Sequence, residues 1–122
     1  MSQSKTDLAR IQSVLEATYE IESYLRDASH EDFLNNSMMR IATVKQLEII
    51  GLITEQISDN LKDDYPQLHW EAIEKLHKIL IHEYLGINFE LVWITASKEI
   101  PLLKKQFELI LAQISYIVIN QK

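Results

Sequence analysis

Apolar residues recur at helical intervals along nearly the whole chain. Leu8, Ile11, Leu15, Thr18 and Leu25 fall at steps of three, four and seven, which is one face of a helix. The spacing predicts a first long helix from about Thr6 to Ala28. Asp7, three residues after Ser4, reads as part of its cap. Ser29 with Asp32 predicts a second cap and a short helical turn holding Phe33 and Leu34. Asn35, Asn36 and Ser37 break that turn and cap a second long helix, predicted over Met38 to Leu61. Ile41, Val44, Ile49, Ile50, Leu52, Ile53, Ile57 and Leu61 give this helix a broad apolar surface. A polar stripe so narrow predicts that two or more neighbours cover it. Gly51, in its middle, costs about 1 kcal/mol against Ala, and the close approach of another helix is the expected reason.

Asp63–Leu68 contains Pro66 and reads as a connection. A third long helix is predicted from about Trp70 to Leu85, with Gly86 as its C′ stop. Asn88 is placed to cap the next helix, which opens at Phe89. Pro101 is tolerated only near a helix start, so a kink or a new helix is expected around Ser97–Ile100. Leu103, Phe107, Ile110, Leu111, Ile114, Ile117 and Val118 then keep helical spacing to the end. The sum is an all-α antiparallel bundle of four or five helices. Only 2 Gly and 2 Pro among 122 residues exclude a fold of many short strands. The length predicts one domain over residues 1–122, burying about two thirds of its extended surface.

With no cysteine, disulfides, thiolate metal sites and cysteine nucleophiles are excluded. No apolar run is long enough for a membrane span. The opening MSQSKTD lacks an apolar signal core, so a cytoplasmic protein is expected. The net charge is −6, and it is uneven. Residues 1–66 hold six Lys/Arg against twelve Asp/Glu; residues 67–122 hold six of each. An acidic first half argues against delocalised nucleic-acid binding, so an RNA contact needs a local basic patch in the second half.

The candidate chemistry lies on the third helix. Lys75, Lys78 and His82 form one stripe; His77, Leu80, Ile81 and Tyr84 form its neighbour. His77 and His82 are about 140° apart around a helix, a poor arrangement for one metal ion. No metal or cofactor is expected. Without function, Lys75 and Lys78 would be solvated and paired with Glu71 and Glu74, and His77 would be a half-buried interface residue.

Leu47-Glu-Ile-Ile-Gly51, Tyr65-Pro66, Trp70, then His82-Glu-Tyr84-Leu-Gly-Ile-Asn-Phe-Glu-Leu-Val-Trp93 and Ile100-Pro101 resemble the HepT-like ribonucleases of the all-α HEPN superfamily. The resemblance runs from the first helix to about Leu111. It implies a toxin of a toxin–antitoxin pair, a homodimer whose partner is an MNT-type nucleotidyltransferase antitoxin. It implies metal-independent RNA cleavage in a cleft between two copies of the third helix. The family motif Arg-x4-His-x-Tyr puts its histidine on His82 and its tyrosine, the acceptor of AMP from the partner, on Tyr84. Its arginine falls on His77, a departure. The Asn that often follows falls on Lys78, and a Glu common after the central Gly falls on Leu52.

Attack by a 2′-hydroxyl needs a group that moves protons and a cation that stabilises the phosphorane. Imidazole, with an ordinary pKa of about 6.5, suits the first task, which the resemblance gives to His82. Arginine suits the second because it is always charged and grips phosphate with a planar fork. Here His77, if protonated, or Lys78 would have to supply that charge. Two readings follow from the resemblance: a ribonuclease toxin weakened by the missing arginine, or a catalytically inactive partner of a nucleotidyltransferase. A helical assembly protein is the third, and owes nothing to the resemblance.

Overall fold

A computed structural model describes residues 2–77 and 86–120. Three long helices dominate: α1 (Ser2–Leu25), α3 (Ser37–Gln56) and α7 (Ile100–Ile119). Short helices α2 (His30–Leu34), α4 (Asp59–Asp64), α5 (Trp70–Glu74) and α6 (Phe89–Ile94) connect them. A π-helical turn, Thr95–Glu99, joins α6 to α7. Among the described residues there is no strand.

Side-chain pairs fix the directions. Arg10, early in α1, donates to the Gln56 carbonyl at the end of α3, while Gln46 Nε2 in the middle of α3 donates to Tyr24 late in α1. Tyr19 Oη meets Glu108, and Glu22 meets Lys104, so α7 also runs opposite to α1. The all-α antiparallel arrangement read from the periodicity is therefore present, with α1 packed along both other long helices. Ile11, Val14, Leu15 and Ile21 of α1 meet Leu47 and Ile50 of α3 and Phe107 and Ile110 of α7 in the core; Phe33 and Val92 complete it.

Local signals account for most boundaries. Ser29 Oγ accepts from the Asp32 N–H and Asp32 accepts from the Ser29 N–H, a reciprocal cap. Asn36 accepts from Met39 N–H, and Asn88 from Leu91 N–H. Helix α1 ends at Leu25, before the predicted Ala28, because Asp27 turns into the left-handed region at φ 62°, which Asp tolerates better than most residues.

Three expectations are corrected. Helix α1 already begins at Ser2, so Ser4 is not its cap. Asp7 is 97% buried and instead accepts from Ser58 N–H at 3.0 Å and Ser58 Oγ–H at 2.6 Å. That contact breaks the second long helix, predicted to run unbroken to Leu61. Ile57 is extended, and Ser58, anchored by Asp7, caps α4 through Leu61 N–H. The third correction is at Lys75, where the helix opening at Trp70 is interrupted by a turn before helical geometry resumes at Leu76–His77. The remainder of that predicted helix, from Lys78 to Leu85, lies outside the described residues.

The expected irregularity before Pro101 is the π turn. Ile100 N–H bonds to Thr95 O, five residues back, and Pro101 has no N–H to continue the ladder. Ser97 Oγ donates to Trp93 O at 2.6 Å within the same turn. The wider turn shifts the face that α7 presents relative to α6.

Candidate active site

Glycine decides how close the candidate segment comes to the core. A Cβ built on Gly51 would lie 2.9 Å from His77 N, 3.2 Å from Glu74 O and 3.3 Å from His77 Nδ1. The backbone of residues 74–77 therefore lies directly on α3, as the mid-helix glycine predicted. The neighbour is the segment that carries the candidate chemistry.

Both ring nitrogens of His77 face an oxygen of a neighbouring residue. Nδ1 lies 2.8 Å from Glu74 O; a carbonyl only accepts, so Nδ1 carries the hydrogen and donates. Nε2 lies 3.7 Å from Glu55 Oε2. Nε2 then carries a proton only in the imidazolium, and only that form makes an ion pair with Glu55. The imidazole side chain is 13% exposed, the Glu55 carboxylate 38%. His77 is thus the half-buried interface residue of the structural reading, with a narrow outward edge.

The start of this segment is clamped from below. Lys62 Nζ of α4 donates to Glu74 Oε2 at 2.6 Å, with 11% and 26% of the two side chains exposed. Glu74 is thus held by a lysine twelve residues earlier; the expected pairing of Glu74 with Lys78 lies outside the described residues. Lys75 does pair with Glu71, at 3.8 Å, an exposed contact worth little. Glu55 and Lys62 were missed as neighbours of the candidate segment. The available signal was Glu55 itself, one turn beyond Gly51 on α3.

Lys78, His82 and Tyr84 lie outside the described residues. His30 is stacked on Trp93 at 5.5 Å between ring centres and lies 3.2 Å from Glu90. His69 precedes α5 and is exposed. Among the described residues no group of three His, Asp or Glu side chains is placed to hold a metal ion.

The antiparallel all-α bundle is of the HEPN-like class. The family model "Ribonuclease HepT-like" matches residues 14–110, and the chain belongs to that family. A protein of Methanocaldococcus jannaschii named "Putative RNase MJ1380" is 32% identical over 108 residues, covering 88% of this chain and 99% of that one. "Probable ribonuclease HepT" of Thermococcus cleftensis is 33% identical over 98 residues, covering 80% and 89%. No solved structure gives a match. The family match takes in α3, α5 and the whole stretch from Trp70 to Trp93.

Proposed function

We propose that this chain is the toxin component of a toxin–antitoxin pair, a homodimeric, metal-independent endoribonuclease of the cytoplasm. The observation that carries the reading is the family match across residues 14–110, which includes the motif positions. In this reading His82 moves the protons of 2′-hydroxyl attack and Lys78 or His77 stabilises the phosphorane. Tyr84 accepts AMP from a nucleotidyltransferase antitoxin. The two copies of the motif segment face one cleft.

The chemistry of the reaction sets the weight on each group. The developing phosphorane carries more charge than the ground-state phosphate, and a preorganised cation there is worth several kcal/mol. His77 is poorly placed to be that cation alone. Glu55 lies against its Nε2, and a phosphate oxygen approaching the same nitrogen meets a carboxylate. A lysine such as Lys78 offers its charge as a point rather than a fork. The hold on His77 is also the one observation favouring the second reading, a catalytically inactive partner of the nucleotidyltransferase.

Co-expression with the nucleotidyltransferase encoded nearest to this chain tests the pairing. Rescue of growth, with an adenylate adduct on Tyr84 by mass spectrometry, is expected. Growth arrest relieved with no adduct would remove Tyr84 from the account. Sedimentation showing a monomer at micromolar concentration would remove the composite cleft.

A further inference from the structure

A cleft of about 470 Å³ opens between α5 and the start of α7. Ile73 and Leu103, both nearly buried, form its floor. Leu76, the residue before His77, lies in its wall. Gln67, His69, Glu99 and Gln106 supply polar side chains. None of these four side chains has a hydrogen-bond or ion-pair partner among the described residues. Among the described residues the wall holds no lysine or arginine.

That combination selects a ligand class. An apolar floor under a ring of neutral and acidic hydrogen-bonding groups suits a flat, uncharged heterocycle. It does not suit a phosphate, which the Glu99 carboxylate would repel. The volume is in the range of small-ligand sites and takes a single base with its sugar. From the chain's membership in a ribonuclease family, we infer that this cleft is a nucleobase subsite, with Glu99 as its specificity-determining residue. The inference rests on the ribonuclease reading above.

Glu99 sets the preference. A carboxylate only accepts hydrogen bonds, so it selects bases that present donors. Guanine presents two adjacent donors, its N1–H and its amino group, and these match the two carboxylate oxygens in parallel, as a guanidinium does. Cytosine and adenine each offer an amino group. Uracil offers a single ring N–H between two carbonyls, which face the carboxylate unfavourably. Gln67, Gln106 and His69 remain for the other polar atoms. On the ribonuclease reading, the base held here belongs to the RNA strand being cleaved.

Two measurements on the full chain test this. The first follows the methyl resonances of Ile73 and Leu103 during titration with guanosine, cytidine, adenosine and uridine. Saturable shifts with guanosine strongest and uridine weakest are expected. Glu99→Gln should weaken guanosine about tenfold or more, the loss expected for a hydrogen bond to a charged group, and level the four affinities. The second maps cleavage positions on a mixed-sequence RNA. Wild type should cut beside guanosine, and Glu99→Gln should cut more slowly at those guanosine sites, with a flattened base preference. Unchanged methyl resonances with every nucleoside, or an identical cleavage pattern in Glu99→Gln, overturns the subsite while leaving the ribonuclease reading standing. Nucleoside binding with no cleavage of any RNA keeps the subsite and overturns the ribonuclease reading.

Discussion

Gly51→Ala places one methyl group where α3 meets the backbone of residues 74–77. The nearest atom would be His77 N at 2.9 Å, with Glu74 O at 3.2 Å. Both are main-chain atoms, so no side-chain rotation relieves the contact. Overpacking of this kind costs about 1–3 kcal/mol. The ring of His77 would move as well, since its Nδ1 lies 3.3 Å from the new atom. Loss of the Nδ1–H to Glu74 O bond adds about 1 kcal/mol. Against this, Ala gains about 1 kcal/mol in a helix interior relative to Gly. The net is a destabilisation of about 1–3 kcal/mol, roughly 3–5 °C in Tm for each kcal/mol in a chain of this size. Urea denaturation gives the free energy, and the amide spectrum locates the change. The largest shifts should fall at Glu74–His77, which are remote from position 51 in sequence. A variant as stable as wild type, with those amides unmoved, would refute the close approach. Gly51→Ala should also lower any RNA cleavage, by displacing the segment that carries the motif.

Other consequences follow from single contacts. Asp7→Ala leaves Ser58 N–H and Oγ without their acceptor and should cost about 1–3 kcal/mol, with added protease sensitivity at the α3–α4 junction. Lys62→Met removes the partner of the partly buried Glu74 carboxylate; hydrogen exchange should quicken across α5 more than across α1. Burial first, and the negative Asp64 second, hold the Tyr65 phenol above its ordinary value of about 10. The neutral phenol is the form the fold favours. Its contribution to stability is therefore complete below about pH 10 and is lost as pH rises through the folded-state value, so Tyr65→Phe should flatten the alkaline fall in Tm. Glu55→Gln removes the carboxylate facing His77 Nε2 and should strengthen RNA binding, measured by fluorescence anisotropy; weaker binding would show that Glu55 assists His77 rather than competing for it.

Caps were the most legible part of the sequence. Ser29, Asn36 and Asn88 each act within three residues of their own position, a range that local spacing covers. Asp7 was misread for the complementary reason: its partner Ser58 is 51 residues away. The break at Ile57–Ser58 was hidden because Ile57 and Leu61 keep helical spacing across it, and both are buried. Gly51 signalled a close approach without saying to what, since a missing side chain carries no information about its neighbour. The family was legible through the resemblance, while Lys78, His82 and Tyr84 lie outside the described residues. The hold on His77 was not, because Glu55 reaches it from α3, and Lys62 fixes its neighbour Glu74 from α4.

The central claim is that a HepT-type ribonuclease site survives here with histidine at the arginine position. Its most direct test is cleavage of labelled RNA in excess EDTA by wild type, His82→Ala and His77→Arg. The account predicts slow, chelator-resistant cleavage by wild type, none by His82→Ala, and faster cleavage by His77→Arg, which restores a permanent forked cation. Cleavage that His82→Ala leaves intact, or RNA left whole by wild type and His77→Arg alike, would contradict it.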